Sequence, residues 1–395
     1  MAISPDDAER TERRRAQRAA QRAAAARRRL LALAAIAALA ALGGAIVGAD
    51  GDGEDGSPPT AAPPSACPAQ IVADPWRLAG QMLIVRMEDT ATQGLRRLVR
   101  RGAIGGVVLF PPAGTRASEL RRELAALREA ARRPDAQEPL VMVDQEGGEV
   151  KRLPTLPPDR SPARIAVGGE AAAFEQGRAT GAALAAVGID VDLAPVLDVP
   201  ASADAFIASR AFGSDPTEVA RAGAAFGEGL RAGRVAATAK HFPGLGSATV
   251  NTDLAPSSIE ATRAELRSGL EPFRAAIAGG FDLVMVANAT YPAYDPERIA
   301  SQSPRVIEGL LRRRLGFGGV VVTDDLGAQA LVQAGIDEAE AAVRAASAGA
   351  DLLLFAQSNG DGARDALVRA LRRGELEREA LISSCARSRA LRSRP

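Results

Sequence analysis

From Trp76 onward the chain alternates short, almost wholly apolar runs with longer stretches whose apolar residues recur every three or four positions. The apolar runs are GQMLIVRM (80–87), AIGGVVLF (103–110), PLVMVDQ (139–145), VDLAPVLDV (191–199), AATAKHF (236–242), LVMVANA (283–289), GGVVVTDD (318–325) and ADLLLF (350–355). Strands buried on both faces read this way. The stretches between them, such as SELRRELAALREAARR (118–133) and EATRAELRSGLEPFRAAIAG (260–279), have helical spacing. Eight strand–helix alternations over residues 76–395 predict a single (β/α)8, or TIM, barrel. An open doubly wound sheet is the rival. It requires a Gly-rich phosphate loop after an early strand, whereas Gly147-Gly148 and Gly244-Leu245-Gly246 follow DQE and KHFP.

The pattern changes before the barrel. Residues 1–29 are rich in Arg and Ala and end in Arg27-Arg28-Arg29; residues 30–49 are apolar or small and uncharged. Such a stretch is long enough to span a bilayer, and the Arg cluster orients it with the following residues outside. Val47-Gly48-Ala49 has the small-residue form of a cleavage site, so this is a signal peptide or an uncleaved anchor. Residues 50–66, rich in Asp, Gly, Ser and Pro, read as a linker, and the folded domain spans 67–395. The barrel is thus expected outside the cytoplasm, with the membrane as a partner if the segment stays.

Composition removes several functions. The net charge of +1 and 3% aromatic content give no electrostatic or stacking platform for nucleic acid. One histidine and two distant cysteines cannot supply a tetrahedral zinc set, so neither a metal nor another cofactor is expected. Cys67 and Cys385 stand at the two ends of the expected domain, where an oxidising compartment favours a disulfide; two unpaired thiols are the alternative. Lys151 and Lys240 are the only lysines among 49 basic residues, and Lys240 adjoins the sole histidine, His241.

Candidate chemistry lies at the strand ends, where a barrel gathers its active groups. Asp144 closes the third run, Lys240 and His241 the fifth, Asn288 the sixth, and Asp324 and Asp325 the seventh. Charge that converges on one rim requires a partner or a ligand. Side chains alternate across a strand, so only one of Asp324 and Asp325 enters the barrel mouth, leaving the other to cap a helix or brace a loop. Glycoside cleavage needs one group to attack or activate water and a second to protonate the leaving oxygen. Asp324 suits the first role, and Asp253, on the loop after KHFPGLG, is a candidate for the second.

LVMVDQEGGEVKRL (140–153), DLAPVLDV (192–199), RAFGSDP (210–216), AKHFPGLG (239–246) and GVVVTDDLGAQAL (319–331), in that order, resemble the single-domain bacterial β-N-acetylhexosaminidases of glycoside hydrolase family 3. The resemblance implies that Asp324 is the nucleophile. It also implies that Asp144, Arg152, Arg210, Lys240 and His241 bind an N-acetylglucosamine unit, and the strand-end residue Asn288 is grouped with them as a substrate contact. The implied activity is retaining removal of terminal β-linked N-acetylglucosamine from cell-wall fragments by a monomer. Alternatives are β-glucoside specificity on the same barrel and a tethered sugar-binding protein without turnover. One departure stands out. Where the family carries Asp-Ser-His, with that His as acid/base, this chain has Asn251-Thr252-Asp253, so Asp253 replaces the acid and Asn251 the residue that orients it. The loop's small and polar residues predict mobility.

Overall fold

The computed structural model describes residues 66–88, 92–132 and 137–392, so the expected basic region, the apolar segment 30–49 and nearly all of the linker lie outside the described residues. All eight expected runs form strands: β1 Leu83–Met87, β2 Gly106–Leu109, β3 Leu140–Val143, β4 Val191–Asp192, β5 Ala236–Phe242, β6 Leu283–Val286, β7 Val320–Thr323 and β8 Leu353–Phe355. They pair in parallel in the order β7-β6-β5-β4-β3-β2-β1-β8. A parallel bridge between Val322 and Leu352 joins the two edges and closes the barrel. Among the described residues no helix is long and apolar enough to cross a membrane.

Two expected boundaries are corrected, and proline is the cause of both. The run 191–199 is not one regular strand: the regular ladder ends at Asp192, single bonds continue from the Leu193 amide to Val143 and from the Thr238 amide to Ala194, and an isolated bridge from Val196 to Lys240 follows Pro195, which has no N–H to give a ladder. The expected helix 260–279 is two shorter ones, Leu266–Gly269 and Glu271–Ala278. Pro272 cannot donate to the carbonyl four residues back and sits instead in the first turn of the second helix.

Pleating sorts the strands into two cores. Ile84, Val108, Met142, Leu193, Met285 and Val322 fill the barrel interior, whereas their neighbours Val85, Val107, Val141, Val143, Val284 and Val321 pack outward against the helices. The helix Pro216–Ala232, which feeds β5, starts on Asp215, whose carboxylate accepts from the Thr217 and Glu218 amides at 3.0 and 2.9 Å. It lies unusually close to the helix Gly169–Val187: a Cβ on Gly177 would stand 2.0 Å from the Phe226 carbonyl oxygen, so only glycine permits this approach.

The floor of the barrel is closed by the helix Arg378–Arg392. Leu391 joins the interior cluster, and Arg392 donates to the carbonyls of Glu138 and Gly105, both at 2.6 Å, just ahead of β3 and β2. Fully buried Asp351 receives Ser384 at 2.8 Å, Arg387 at 2.7 Å and Arg312 at 2.7 Å, which ties this helix to the lead-in of β8. Cys385 of the same helix forms a disulfide with Cys67, across 318 residues of chain. A link that closes so long a loop removes much unfolded-state entropy. Reduction is therefore expected to cost about 2–5 kcal/mol, read as a lower Tm with reductant in wild type and no reductant effect in Cys385→Ser.

Candidate active site

The interior parity continues past the strand ends and selects which polar residues reach the barrel mouth. Extending Ile84 brings in Arg86; Val108 brings in Phe110, Met142 brings in Asp144 and Val322 brings in Asp324. These residues, with Arg152, Arg210, Lys240, His241, Asn251 and Asp253, line a cavity of about 500 Å³. Eight of the nine glycan-related residues singled out from sequence thus share one site. Asn288 is the exception. It has the outward parity, is fully buried, donates to the Asp325 carbonyl at 2.6 Å and accepts from the Ser301 hydroxyl at 2.7 Å, so its amide is spent within the wall. Asp325 also braces the wall, accepting from the amides of Gly327 at 3.0 Å and Ala356 at 2.9 Å.

Lys240 is buried, and its ammonium lies 2.6 Å from both Asp144 and Glu146. Arg210 grips Glu146 with two N–H groups, at 2.9 and 2.7 Å. Burial alone would push Glu146 up, but Lys240 and Arg210 outweigh it and hold its carboxyl at about 2. The two anions likewise raise the Lys240 ammonium against the opposing effect of its own burial. Asp144 and Glu146 are two residues apart in extended chain, so both meet the same cation. Glu146 was missed from the sequence although its position in DQEGG carries that signal. Asp198 was missed as well: it holds the His241 ring at 2.7 Å and accepts from the Leu245 amide at 2.6 Å. The Lys240–His241 and Phe242–Pro243 peptide bonds are cis.

Asp324 is partly exposed at the mouth. Burial pushes its carboxyl up to about 6; His241 opposes the rise, and the charge of Asp253 adds to it. Asp253 itself is exposed, with its amide donating to Asn251 Oδ1 at 3.0 Å in an Asx turn. Its loop docks onto the segment that follows Asp324. The Gln329 amide reaches the Asp253 carbonyl at 3.3 Å, the Ala330 amide reaches Thr252 at 3.1 Å, and the Gln333 side chain reaches Leu254 at 3.0 Å. The site therefore offers two carboxylates within electrostatic reach of each other, facing hydroxyl-binding groups whose positions are fixed by buried ion pairs. No group of His, Cys, Asp and Glu among the described residues is arranged to hold a metal ion.

Residues 78–391 match the Glycosyl hydrolase family 3 N terminal domain. A beta-hexosaminidase of Stenotrophomonas maltophilia is 38% identical over 267 residues, covering 64% of this chain and 77% of its own length. An uncharacterised secreted glycosyl hydrolase of Arthroderma benhamiae is 35% identical over 318 residues, 77% of this chain and 89% of its own. The solved family 3 β-N-acetylglucosaminidase of Paenibacillus superposes with a TM-score of 0.76 at 34% identity, covering 81% of this chain and 63% of that enzyme.

Proposed function

From the premise that the chain belongs to glycoside hydrolase family 3 and is a glycoside hydrolase of the β-N-acetylhexosaminidase type, we propose that it removes terminal β-linked N-acetylglucosamine from cell-wall fragments through a covalent glycosyl-Asp324 intermediate. The observation that carries this reading is the placement of Asp324 beside Asp253 in a cavity otherwise braced by the Lys240–Asp144–Glu146–Arg210 network. Asp144 accepts from sugar hydroxyls, while Arg152, Arg210 and Lys240 donate to them. The ionised Asp324 attacks the anomeric carbon from one face as Asp253 protonates the departing oxygen; Asp253 then takes the proton of the water that releases the sugar. Asn251 positions Asp253 through the Asx turn. The apolar segment 30–49 and the secreted relative support a location outside the cytoplasm, either tethered or released.

Treatment with a deactivated N-acetylglucosaminyl fluoride, followed by mass spectrometry, tests the intermediate. The expected adduct is on Asp324. An adduct elsewhere, or none on an enzyme that turns over, overturns the role. Nitrophenyl N-acetylglucosaminide is expected to be cleaved in preference to nitrophenyl glucoside; the reverse order makes the enzyme a β-glucosidase.

Asp253→Asn is expected to reduce kcat/KM by roughly 10²–10³ for a disaccharide and by less for an activated aryl glycoside, whose departure needs little protonation. Asp324 must be ionised to attack, so activity falls as the pH drops through about 6. Equal losses on both substrates rule out the assignment.

A further inference from the structure

One wall of the cavity carries an arginine, Arg86, that has no part in the chemistry above. Arg86 at the end of β1 and Arg152 after β3 both stack on Phe110, with guanidinium carbons 4.3 and 4.5 Å from the ring centroid. Stacking holds a guanidinium by its face and leaves its N–H edge open. Arg86 donates to the Ala356 carbonyl at 3.2 Å and to Glu88 at 2.7 Å, while its Nε is buried with no acceptor among the described residues. Glu88 is 71% exposed, so solvent screens its charge. The Arg152 side chain makes its ring contact but pairs with no carboxylate among the described residues.

The rest of the cavity is charged differently. Arg210 and Lys240 are neutralised by Glu146 and Asp144, while neither Asp324 nor Asp253 forms an ion pair among the described residues. The cavity is thus polarised, with surplus positive charge at the β1–β2 wall and surplus negative charge where Asp324 and Asp253 stand. In a closed ring of eight strands, β1 lies opposite β5, whose following loop carries Asp253. A sugar whose glycosidic bond lies at the two aspartates therefore turns the far side of its ring toward Arg86.

We infer that Arg86 and Arg152 form a subsite for an anionic group, a carboxylate or a phosphate ester, on the sugar that occupies the cavity. The inference rests on the hydrolase reading for the orientation of that sugar. A neutral hydroxyl can accept from either arginine, but only an anion also compensates the surplus charge and can bind both oxygens to one guanidinium edge. The preferred substrate is accordingly an acidic amino sugar at the non-reducing end.

Calorimetric titration with N-acetylglucosamine, its 6-phosphate and its 6-carboxylate, alongside turnover of the neutral nitrophenyl glycoside, tests this. At least one of the two anionic sugars is expected to bind about tenfold or more tightly than the neutral one, and which one identifies the group. Arg86→Met is expected to bring that ratio toward one, and Glu88→Gln, which releases the guanidinium, to raise it. Rising salt lowers the ratio in wild type. If the enzyme cleaves the neutral glycoside yet both anionic sugars bind no more tightly, the subsite is overturned and the hydrolase reading stands. If nothing is cleaved but an anionic sugar binds tenfold more tightly in an Arg86-dependent way, the subsite stands and the hydrolase reading falls. A ratio unchanged in both variants also overturns it.

Discussion

Asparagine in place of Asp324 is expected to lower kcat/KM by roughly 10⁴-fold or more while making the protein harder to unfold at neutral pH. The first effect follows from removing the attacking oxygen. The second follows from where that oxygen sits. Burial and the neighbouring Asp253 outweigh His241 and raise the Asp324 carboxyl from 3.8 to about 6. The folded state therefore holds the proton more tightly than the unfolded chain. The favourable contribution is complete below the unfolded value and is lost as the pH rises through about 6; above that, the folded protein carries an ionised carboxylate at a cost. A neutral amide avoids this cost, about 2–3 kcal/mol after allowance for partial exposure. Thermal melts of wild type and variant check it: the variant's advantage should be widest at pH 8 and fade by pH 4. An equal advantage at both pH values, or residual activity above a few per cent, contradicts the assignment.

The second large effect is destabilising. Lys240→Met removes the ammonium that two buried carboxylates share, leaving Asp144 without its cation and Glu146 with Arg210 alone. Breaking a buried pair in this way costs about 3–5 kcal/mol, because the remaining charge stays desolvated. A Tm loss of roughly 10 °C at pH 7.5 is expected, with kcat/KM falling as well. Burial favours the neutral form of Glu146 and Lys240 is the foremost cation opposing it, so Glu146 takes up a proton more readily in the variant and the loss should shrink at pH 5. Glu146→Gln added to Lys240→Met should recover stability without recovering turnover. A variant as stable as wild type would mean that the network is solvated.

The barrel was legible because its strands are covered on both sides, which forces continuous apolar runs that loops do not imitate. Boundaries were less legible where proline intervenes: Pro195 and Pro272 stood in view, but the apolar pattern ran through both. Site residues at strand ends were legible as polar breaks in apolar runs, and pleat alternation separated Asp324 from Asp325. The same alternation, applied to β1 and β6, picks out Arg86 and sets Asn288 aside; neither step was taken from sequence, because LIVRM looks like an ordinary strand with one charge and LVMVANA ends in a residue suited to sugars. Asp198 was the least visible. It lies past Pro195, which interrupts the apolar run, so the register that brings it alongside His241 is not readable from the alternation.

The floor of the barrel also has a meaning in time. Strand β1 is made early, yet the interior it faces is sealed by Leu391, more than 300 residues later in the chain. Contacts of such separation carry the loop-closure cost of the whole domain and come late in folding. Until the helix Arg378–Arg392 arrives, the inner apolar residues have no lid against water, so an emerging chain has little to gain from closing the ring early. What completes the barrel is thus among the last parts of the chain to be made, and closure of the ring waits on it.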